Sequence, residues 1–228
     1  MVTTRLKISK WMRINCGSGW VQNSKLMKRM KLPQNVHLFL LCGGQSRRMG
    51  RDKGSLLFQG TSFEQRTKRI ALDAGVTDVC TVGGKGKDIV DCIPHRGPAA
   101  ATIFAMNEAK ENILNQAHAL VLLPVDMPML SAVLLHQLIG LSLSQQTSCY
   151  YNRDWFPLVI YKPVDYLEEL NKLITDSPMP SMKALANVCH AQSVPLSSRL
   201  HLALLNVNTP HDFSQLQSLT QRSQTQIS

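Results

Sequence analysis

Two stretches of the chain are almost wholly apolar: VHLFLLC at positions 36–42 and AHALVLLPV at positions 117–125. A strand with no polar face fits a parallel sheet covered by helices on both sides, because each of its faces then lies against apolar side chains. The first stretch ends abruptly at Gly43-Gly44. Both are far shorter than the roughly 20 residues that span a bilayer. The sequence therefore predicts two buried strands and no membrane segment.

Helix-like and strand-like segments alternate along the rest of the chain. In the first half, helices are predicted at 62–74, 98–110 and 131–141, with strands at 78–82 and 88–93. The second half adds strand patterns at 147–151 and 156–161, helices near 164–174 and 180–188, and a short final helix from His211. This alternation predicts an α/β fold with three layers, α/β/α, around a mostly parallel sheet.

The length and composition are those of one globular domain. The chain has 228 residues, of which 44% are hydrophobic and 18% charged, and this size is enough for a substantial core. We expect a domain over residues 34–216, preceded by a basic extension at 1–33 and followed by a flexible tail at 217–228. The extension is expected to be disordered, or to reflect a start upstream of the true one, for which Met27 and Met30 are candidates.

The net charge of +10 raises the question of a nucleic-acid partner. Eight of the 25 Lys and Arg residues lie within 1–31, which holds no acidic residue, and this leaves 17 basic against 15 acidic residues elsewhere. The body of the protein is therefore close to neutral, and a polyanion-binding face is not predicted. Only the extension could contact nucleic acid or an anionic surface.

The cysteines favour a reducing compartment. All six, at positions 16, 42, 80, 92, 149 and 189, lie outside any C-x-x-C pair and show no metal-type spacing with histidine. Such cysteines are typical of reduced, mostly buried thiols. A cytoplasmic protein is therefore predicted.

The loop after the first strand, LCGGQSRRMGRDK at 41–53, is rich in glycine and basic residues. Glycines allow the backbone to approach a phosphate or a base closely, and free N–H groups in such a loop attract anions. Arg47, Arg48 and Lys53 add positive charge suited to a polyphosphate. The spacing is neither that of a Walker A loop nor G-x-G-x-x-G. By composition alone, a flexible basic loop is equally compatible.

A second candidate is Asp126, in LLPVDMP directly after the second apolar strand. Mg²⁺ is bound through one or two carboxylates together with substrate phosphates, so a single aspartate at a strand end can suffice. The alternative is that Asp126 caps the helix that follows.

Together, the pattern strand–GGxSxRMGxDK–helix followed by strand–PxDMP resembles the nucleotidyltransferases of the molybdenum cofactor guanylyltransferase family. The resemblance extends from Val36 to Phe213. It includes Gly97-Pro98 at the start of a helix, Pro157 in FPLVIY, and NVNTP at 206–210, which is similar to the closing signature of the family. It implies a Rossmann-like nucleotidyltransferase fold.

The resemblance also implies roles for individual residues. Leu41, Cys42 and Gly43 are expected to line the base and ribose, with Asp91 on the base side, and Gly44 is a further nucleotide-binding candidate. Lys53 is expected to contact the phosphates, and Asp126 to ligate Mg²⁺ bound to GTP. On physical grounds we add Arg47 and Arg48 as neutralisers of triphosphate charge, with Arg48 counted among the catalytic candidates together with Lys53 and Asp126.

Three departures from the family pattern stand out. Cys42 replaces an alanine, the segment after Gly97-Pro98 lacks its second glycine, and Gly83-Gly84 stand where relatives place an asparagine. The last change leaves one nucleotide contact unassigned.

The activity implied is transfer of GMP from GTP to molybdopterin, with pyrophosphate as the second product. We expect the pterin over the second half of the sheet, where Pro157, the 152–156 loop, Arg153 and Lys183 are candidates. Expected protein partners are those that deliver molybdopterin and those that mature molybdoenzymes. The alternatives are transfer of CMP to the same acceptor, nucleotide transfer to a sugar phosphate, and a non-catalytic GTP-binding protein.

Overall fold

The computed structural model describes residues 32, 35–43, 53–91, 96–152 and 154–225, without the side chains of 199 and 219–225. The strands are β1 (Val36–Leu41), β2 (Leu57–Phe58), β3 (Thr61–Ser62), β4 (Asp78–Gly83), β5 (Ile89–Val90), β6 (Ala119–Pro124), β7 (Cys149–Tyr151), β8 (Leu158–Tyr161) and β9 (Gln192–Val194). Seven of them form a central sheet in the order β5-β4-β1-β6-β8-β7-β9, beside a two-stranded hairpin, β2-β3. The α-helices are α1 (Phe63–Asp73), α2 (Gly97–Glu108), α3 (Ala132–Gln145), α4 (Leu167–Asp176), α5 (Met182–Val188) and α6 (Pro210–Thr225).

The large sheet is parallel except for one strand. β1 pairs in parallel with β4 and β6, β4 with β5, and β7 with β9, whereas β8 is antiparallel to both β6 and β7. The other six strands of this sheet therefore all have their carboxyl ends at the same edge, and β8 begins at that edge. The prediction of a mostly parallel sheet is confirmed.

Alternate side chains of the central strands enter two separate cores, as the period-2 geometry of a strand requires. On one face, Leu38, Leu40 and Val121 pack with the buried sides of α1, α3 and α6. On the other face, Phe39 and Leu122 pack with α2, α4 and α5. Both faces of β1 and β6 are thus covered, which explains their unbroken apolar sequences.

Serine side chains begin several of the helices. The hydroxyl oxygens of Ser62, Ser131 and Ser181 accept hydrogen bonds from backbone N–H groups in the first turns of α1, α3 and α5. These bonds satisfy donors that a helix start leaves unpaired. The α1 boundary agrees with the prediction to within one residue at each end, and Gly75 follows it with a φ of 95°.

The final helix differs from the prediction. A short helix from His211 was expected, whereas α6 extends from Pro210 to Thr225. Two features support its first turns: the Asp212 N–H donates to Thr209 Oγ1 at 3.1 Å, and Leu216 is fully buried in the core below it. A polar sequence continues as a helix once its start is capped and one apolar face is anchored.

The described cysteines agree with a further expectation. Cys42, Cys80, Cys149 and Cys189 are reduced thiols, and the last three are buried. Burial raises the pKa of Cys80 to about 11 and the pKa values of Cys149 and Cys189 to about 12, so these three stay protonated at neutral pH. Among the helices in the described ranges, none has the length and apolar character needed to cross a membrane.

Candidate active site

The carboxyl ends of β1 and β6 lie side by side. Leu41 is in register with Pro124, and the Val125 N–H donates to the Leu41 carbonyl at 3.1 Å. The loops that follow these strands therefore leave the sheet together, at the edge where open α/β sheets bind ligands. The two motifs found in the sequence meet at this point.

Three polar side chains meet just beyond this edge. Lys53 Nζ donates to Asp126 Oδ2 at 2.8 Å and to Asn208 Oδ1 at 2.6 Å. The Lys53 and Asp126 side chains keep 19% and 15% of their accessible surface, so the ion pair is largely shielded yet reachable by a ligand. We call Lys53, Asp126 and Asn208 the charged cluster.

Backbone contacts bring Asn208 to the cluster. The Val207 N–H donates to the Asp126 carbonyl at 2.9 Å, which fixes the closing segment against the aspartate loop. The Asp212 carboxylate then accepts hydrogen bonds from the backbone N–H groups of Asn208 and Thr209, both at 2.8 Å. These bonds, led by that from Asn208, hold the pKa of Asp212 below its ordinary value. Asn208 is therefore held from both sides.

A second group of residues gathers where β1 and β4 end. The Cys42 N–H donates to the Val82 carbonyl at 2.8 Å, and the Asp91 N–H donates to the Gly83 carbonyl at 2.6 Å. A Cβ atom on Gly83 would lie 3.0 Å from the Gly43 nitrogen, so any larger residue would crowd this approach of the two backbones. We call Leu41, Cys42, Gly43, Gly83 and Asp91 the strand-end cradle.

The structure thus brings the predicted residues together at two neighbouring places on one sheet edge. Leu41, Cys42, Gly43 and Asp91 belong to the strand-end cradle, and Lys53 and Asp126 to the charged cluster. Gly44, Arg47 and Arg48 lie outside the described residues, so their predicted contacts stay predictions.

Two residues of the site were not among the sequence candidates. Asn208 was noted only as part of the NVNTP signature, because nothing in the sequence indicates that it reaches Lys53, 155 positions earlier. Asp212 was not noted at all. The spacing Thr209-x-x-Asp212 is that of a helix capping box, which is the signal that could have found it.

The charged cluster suits a divalent cation that arrives with its own phosphate ligands. Asp126 Oδ2 already faces a cationic group, Lys53 Nζ, and it offers one carboxylate at the end of a buried strand. The described residues include no group of three or more His, Cys, Asp or Glu side chains that could enclose a metal alone. Mg²⁺ commonly binds through one or two carboxylates together with substrate phosphates, and the single Asp126 carboxylate is consistent with such a site.

The segment that joins β7 to β8, which the sequence suggested for the acceptor, lies at the same edge farther along the sheet. β7 ends and β8 begins there, joined by the 152–157 segment, in which the Phe156–Pro157 peptide bond is cis. Trp155 packs against Tyr150 with ring centres 4.8 Å apart. Lys183 is exposed near the start of α5, and Arg153 lies outside the described residues.

Known proteins resemble the chain in sequence over most of its length. The model of the MobA-like NTP transferase domain matches residues 38–192. A molybdenum cofactor guanylyltransferase of Xanthomonas euvesicatoria pv. vesicatoria is 31% identical over 182 residues, covering 78% of this chain and 92% of that protein.

Solved structures resemble it in fold. The molybdopterin-guanine dinucleotide biosynthesis protein A of Archaeoglobus fulgidus superposes with a TM-score of 0.59 at 16% identity, covering 82% of this chain and 99% of that one. A Mycobacterium tuberculosis protein, solved as a complex with manganese, superposes with a TM-score of 0.54 at 18% identity, covering 80% and 97%.

Proposed function

The chain belongs to the MobA-like NTP transferase family, and from this membership we propose that it transfers GMP from GTP to molybdopterin. The protein is a nucleotidyltransferase, as the sequence predicted. The second product is pyrophosphate, and the first is the guanine dinucleotide form of the pterin cofactor.

The observation that supports this function best is the charged cluster. Lys53 Nζ lies 2.8 Å from Asp126 Oδ2 and 2.6 Å from Asn208 Oδ1, beyond the ends of β1 and β6. A triphosphate bound beyond these strand ends would lie within reach of both the Lys53 ammonium group and the Asp126 loop. The strand-end cradle lies beside it, and its glycines leave the backbone accessible to a base or ribose.

The chemistry is a displacement at the α-phosphorus of GTP. An oxygen of the terminal phosphate of molybdopterin forms the new P–O bond, and the bond to the β-phosphate breaks with its electron pair leaving on pyrophosphate. The nucleophile is already an anion, so no general base is required. The protein must hold two anions together and stabilise the charge that grows on the leaving group.

Each residue of the charged cluster has a defined part in that task. Lys53 supplies a positive charge to the phosphates, and Asp126 holds the divalent cation, which we propose to be Mg²⁺. Asn208 accepts from Lys53 and so orients its ammonium group. When bound, the cation neutralises phosphate charge and polarises the reacting phosphorus.

The acceptor and the cellular context are further parts of the proposal. The 152–157 segment, Lys183 and Arg153 are proposed to contact the pterin, since β7 ends and β8 begins at the same edge as the charged cluster. A cytoplasmic location, and partner proteins that deliver molybdopterin or mature molybdoenzymes, stay predictions.

The test is a label-transfer assay with purified protein, molybdopterin, Mg²⁺ and α-labelled GTP or CTP. Label transfer from GTP alone, lost in Asp126→Ala, supports the proposal and its base. Transfer from CTP instead keeps the chemistry and overturns the guanine assignment. If neither nucleotide gives transfer although GTP binds, a sugar phosphate acceptor or a non-catalytic GTP-binding role replaces it.

A further inference from the structure

Arg66 joins two parts of the molecule that border the charged cluster. It lies in the second turn of α1, and its Nε donates to the Pro128 carbonyl at 2.8 Å. Pro128 follows Asp126 by two residues in the same loop. The guanidinium carbon of Arg66 also lies 5.1 Å from the ring centre of Phe58, which is 3% exposed. The side chain therefore connects the β2–β3 hairpin with the aspartate loop.

The start of α1 also supports the other two members of the cluster. The Phe63 N–H donates to the Leu56 carbonyl at 3.0 Å, and the Leu56 N–H donates to the Lys53 carbonyl at 3.2 Å. The Phe63 ring lies 6.1 Å from the ring of Phe213, in the first turn of α6, the helix that follows Asn208. The backbones near Lys53 and Asp126 are thus hydrogen-bonded to the start of α1 or to residues bonded to it, and α6 packs against the same helix.

Arg66 is half-buried, and its contacts suit a guanidinium group in particular. Desolvation, followed by the nearby charge of Arg69, lowers the pKa of the Arg66 guanidinium. Among the described residues, no carboxylate forms an ion pair with it. Partial burial of an arginine costs free energy, and the carbonyl and ring contacts offset part of that cost. A neutral side chain would fill the same space more easily if packing were all that mattered.

We propose that Arg66 is a positioning residue for the proposed cation ligand: by holding the Pro128 carbonyl, it fixes the aspartate loop so that the Asp126 carboxylate faces the substrate phosphates. This inference rests on the proposed function for the identity of the ligand. In this proposal Arg66 acts through the aspartate loop and not by contact with substrate or cation. Its planar guanidinium can donate to a carbonyl while its face lies on an aromatic ring, and lysine cannot do both.

The experiment measures Mn²⁺ binding by electron paramagnetic resonance in the presence of GTP, alongside melting temperature. The variants are Arg66→Met, which keeps an apolar stem, and Arg66→Lys, which keeps the charge. The matched surface control is Arg69→Met, because the Arg69 side chain lies on the same helix and is 71% exposed. His136→Ala is the stability control, because the His136 ring nitrogen lies 2.8 Å from the Ala74 carbonyl and ties α1 to α3 away from the aspartate loop.

Arg66→Met is expected to weaken Mn²⁺ binding about tenfold, as removal of groups that orient metal ligands commonly does. The Mn²⁺ affinity of Arg66→Lys should lie between those of Arg66→Met and the wild type. If Arg66→Met does not fold, the affinity of Arg66→Lys decides the test. GTP binding measured in the presence of EDTA should stay unchanged in both. His136→Ala should lower the melting temperature while leaving Mn²⁺ affinity as it was.

Wild-type Mn²⁺ affinity in both Arg66 variants would overturn the proposal. So would an equal loss of affinity in His136→Ala, because the effect would then follow from general destabilisation. If the wild-type protein binds Mn²⁺ but transfers no label, the proposed function fails while the positioning role is still decided by these titrations. If it binds no Mn²⁺ at all, Asp126 is not a cation ligand and the proposal falls.

Discussion

The strand-end cradle and the charged cluster are neighbours on one sheet edge, yet they are built differently. The cradle consists of backbone contacts between strand ends and depends on the missing side chain of Gly83. The cluster consists of three side chains separated by 73 and 155 positions along the chain. The cradle should therefore respond to added volume, whereas the cluster should respond to lost charge.

The largest expected effect is the loss of charge in the cluster. Asp126→Asn and Lys53→Met should each reduce kcat by a factor of about 10²–10³, the usual cost of removing one contact that stabilises transition-state charge. Steady-state label transfer from GTP measures this. Circular dichroism should show an intact fold, and turnover near the wild-type rate in either variant would refute the assigned roles.

Added volume in the cradle should have the next largest effect. In Gly83→Val, the new Cβ would lie 3.0 Å from the Gly43 nitrogen and 3.2 Å from the Cys42 carbonyl carbon, so the two strand ends must separate. Overpacking of this kind costs roughly 1–3 kcal/mol, and we expect a KM for GTP raised by about tenfold with kcat little changed.

The adjacent glycine provides the control for that experiment. A Cβ on Gly84 meets nothing within 4 Å, so Gly84→Val should bind GTP as the wild type does. An equal rise in KM in both variants would show that the crowding between Gly43 and Gly83 is not the cause.

A smaller effect is expected from the cap that holds Asn208. Asp212→Ala removes the acceptor of two backbone N–H groups and should destabilise the fold by about 1 kcal/mol, as loss of a helix cap usually does. Because the folded-state pKa of Asp212 is lowered, its contribution is present above the ordinary carboxyl pKa and is lost as the pH falls through the lowered value. Urea denaturation at pH 7 and at pH 3 measures the free energy of unfolding of the wild type and of Asp212→Ala. The difference between the two proteins should be smaller at pH 3, and an equal difference at both pH values would contradict the prediction.

The smallest effect should come from the basic extension. Deleting residues 1–26 removes five of the eight basic residues in the segment 1–31 but leaves both the cradle and the cluster intact. Label transfer should be unchanged. A large loss of activity would show that the extension contributes to the reaction.

The sequence predicted the parallel core well because its signals are local. β1 and β6 are covered on both faces, so their apolar sequences are unbroken, and serine caps mark the starts of α1 and α3. Of the strand predicted at 88–93, the structure describes residues 88–91, and within these the strand is Ile89–Val90. The Asp88 carboxylate accepts from the Thr81 N–H and hydroxyl at 2.8 and 2.7 Å, so a side chain takes the place of a backbone ladder there.

The site was predictable only where its residues stand directly after strands. Asp126 was found because it follows β6, and Lys53 because it closes a distinctive loop. The contact between Lys53 and Asn208 depends on where the chain places the segment before α6, which the sequence does not indicate. Arg66 could not be singled out either, because Lys68 and Arg69 lie in the same helix and nothing in the sequence distinguishes Arg66 from them. The β2–β3 hairpin was also missed, because its strands have only two residues each.

The reversed direction of β8 has a consequence for how this fold can diversify. A parallel neighbour must be reached by a crossover through a helix, but an antiparallel one needs only a hairpin, and here that hairpin is the 152–157 segment at the active edge. Hairpin loops accept insertions at little entropic cost and vary more readily than the strands they join. On the proposed function this segment contacts the acceptor, so the acceptor contacts can change in length and chemistry, while the nucleotide side is constrained by the close contact of its strand ends.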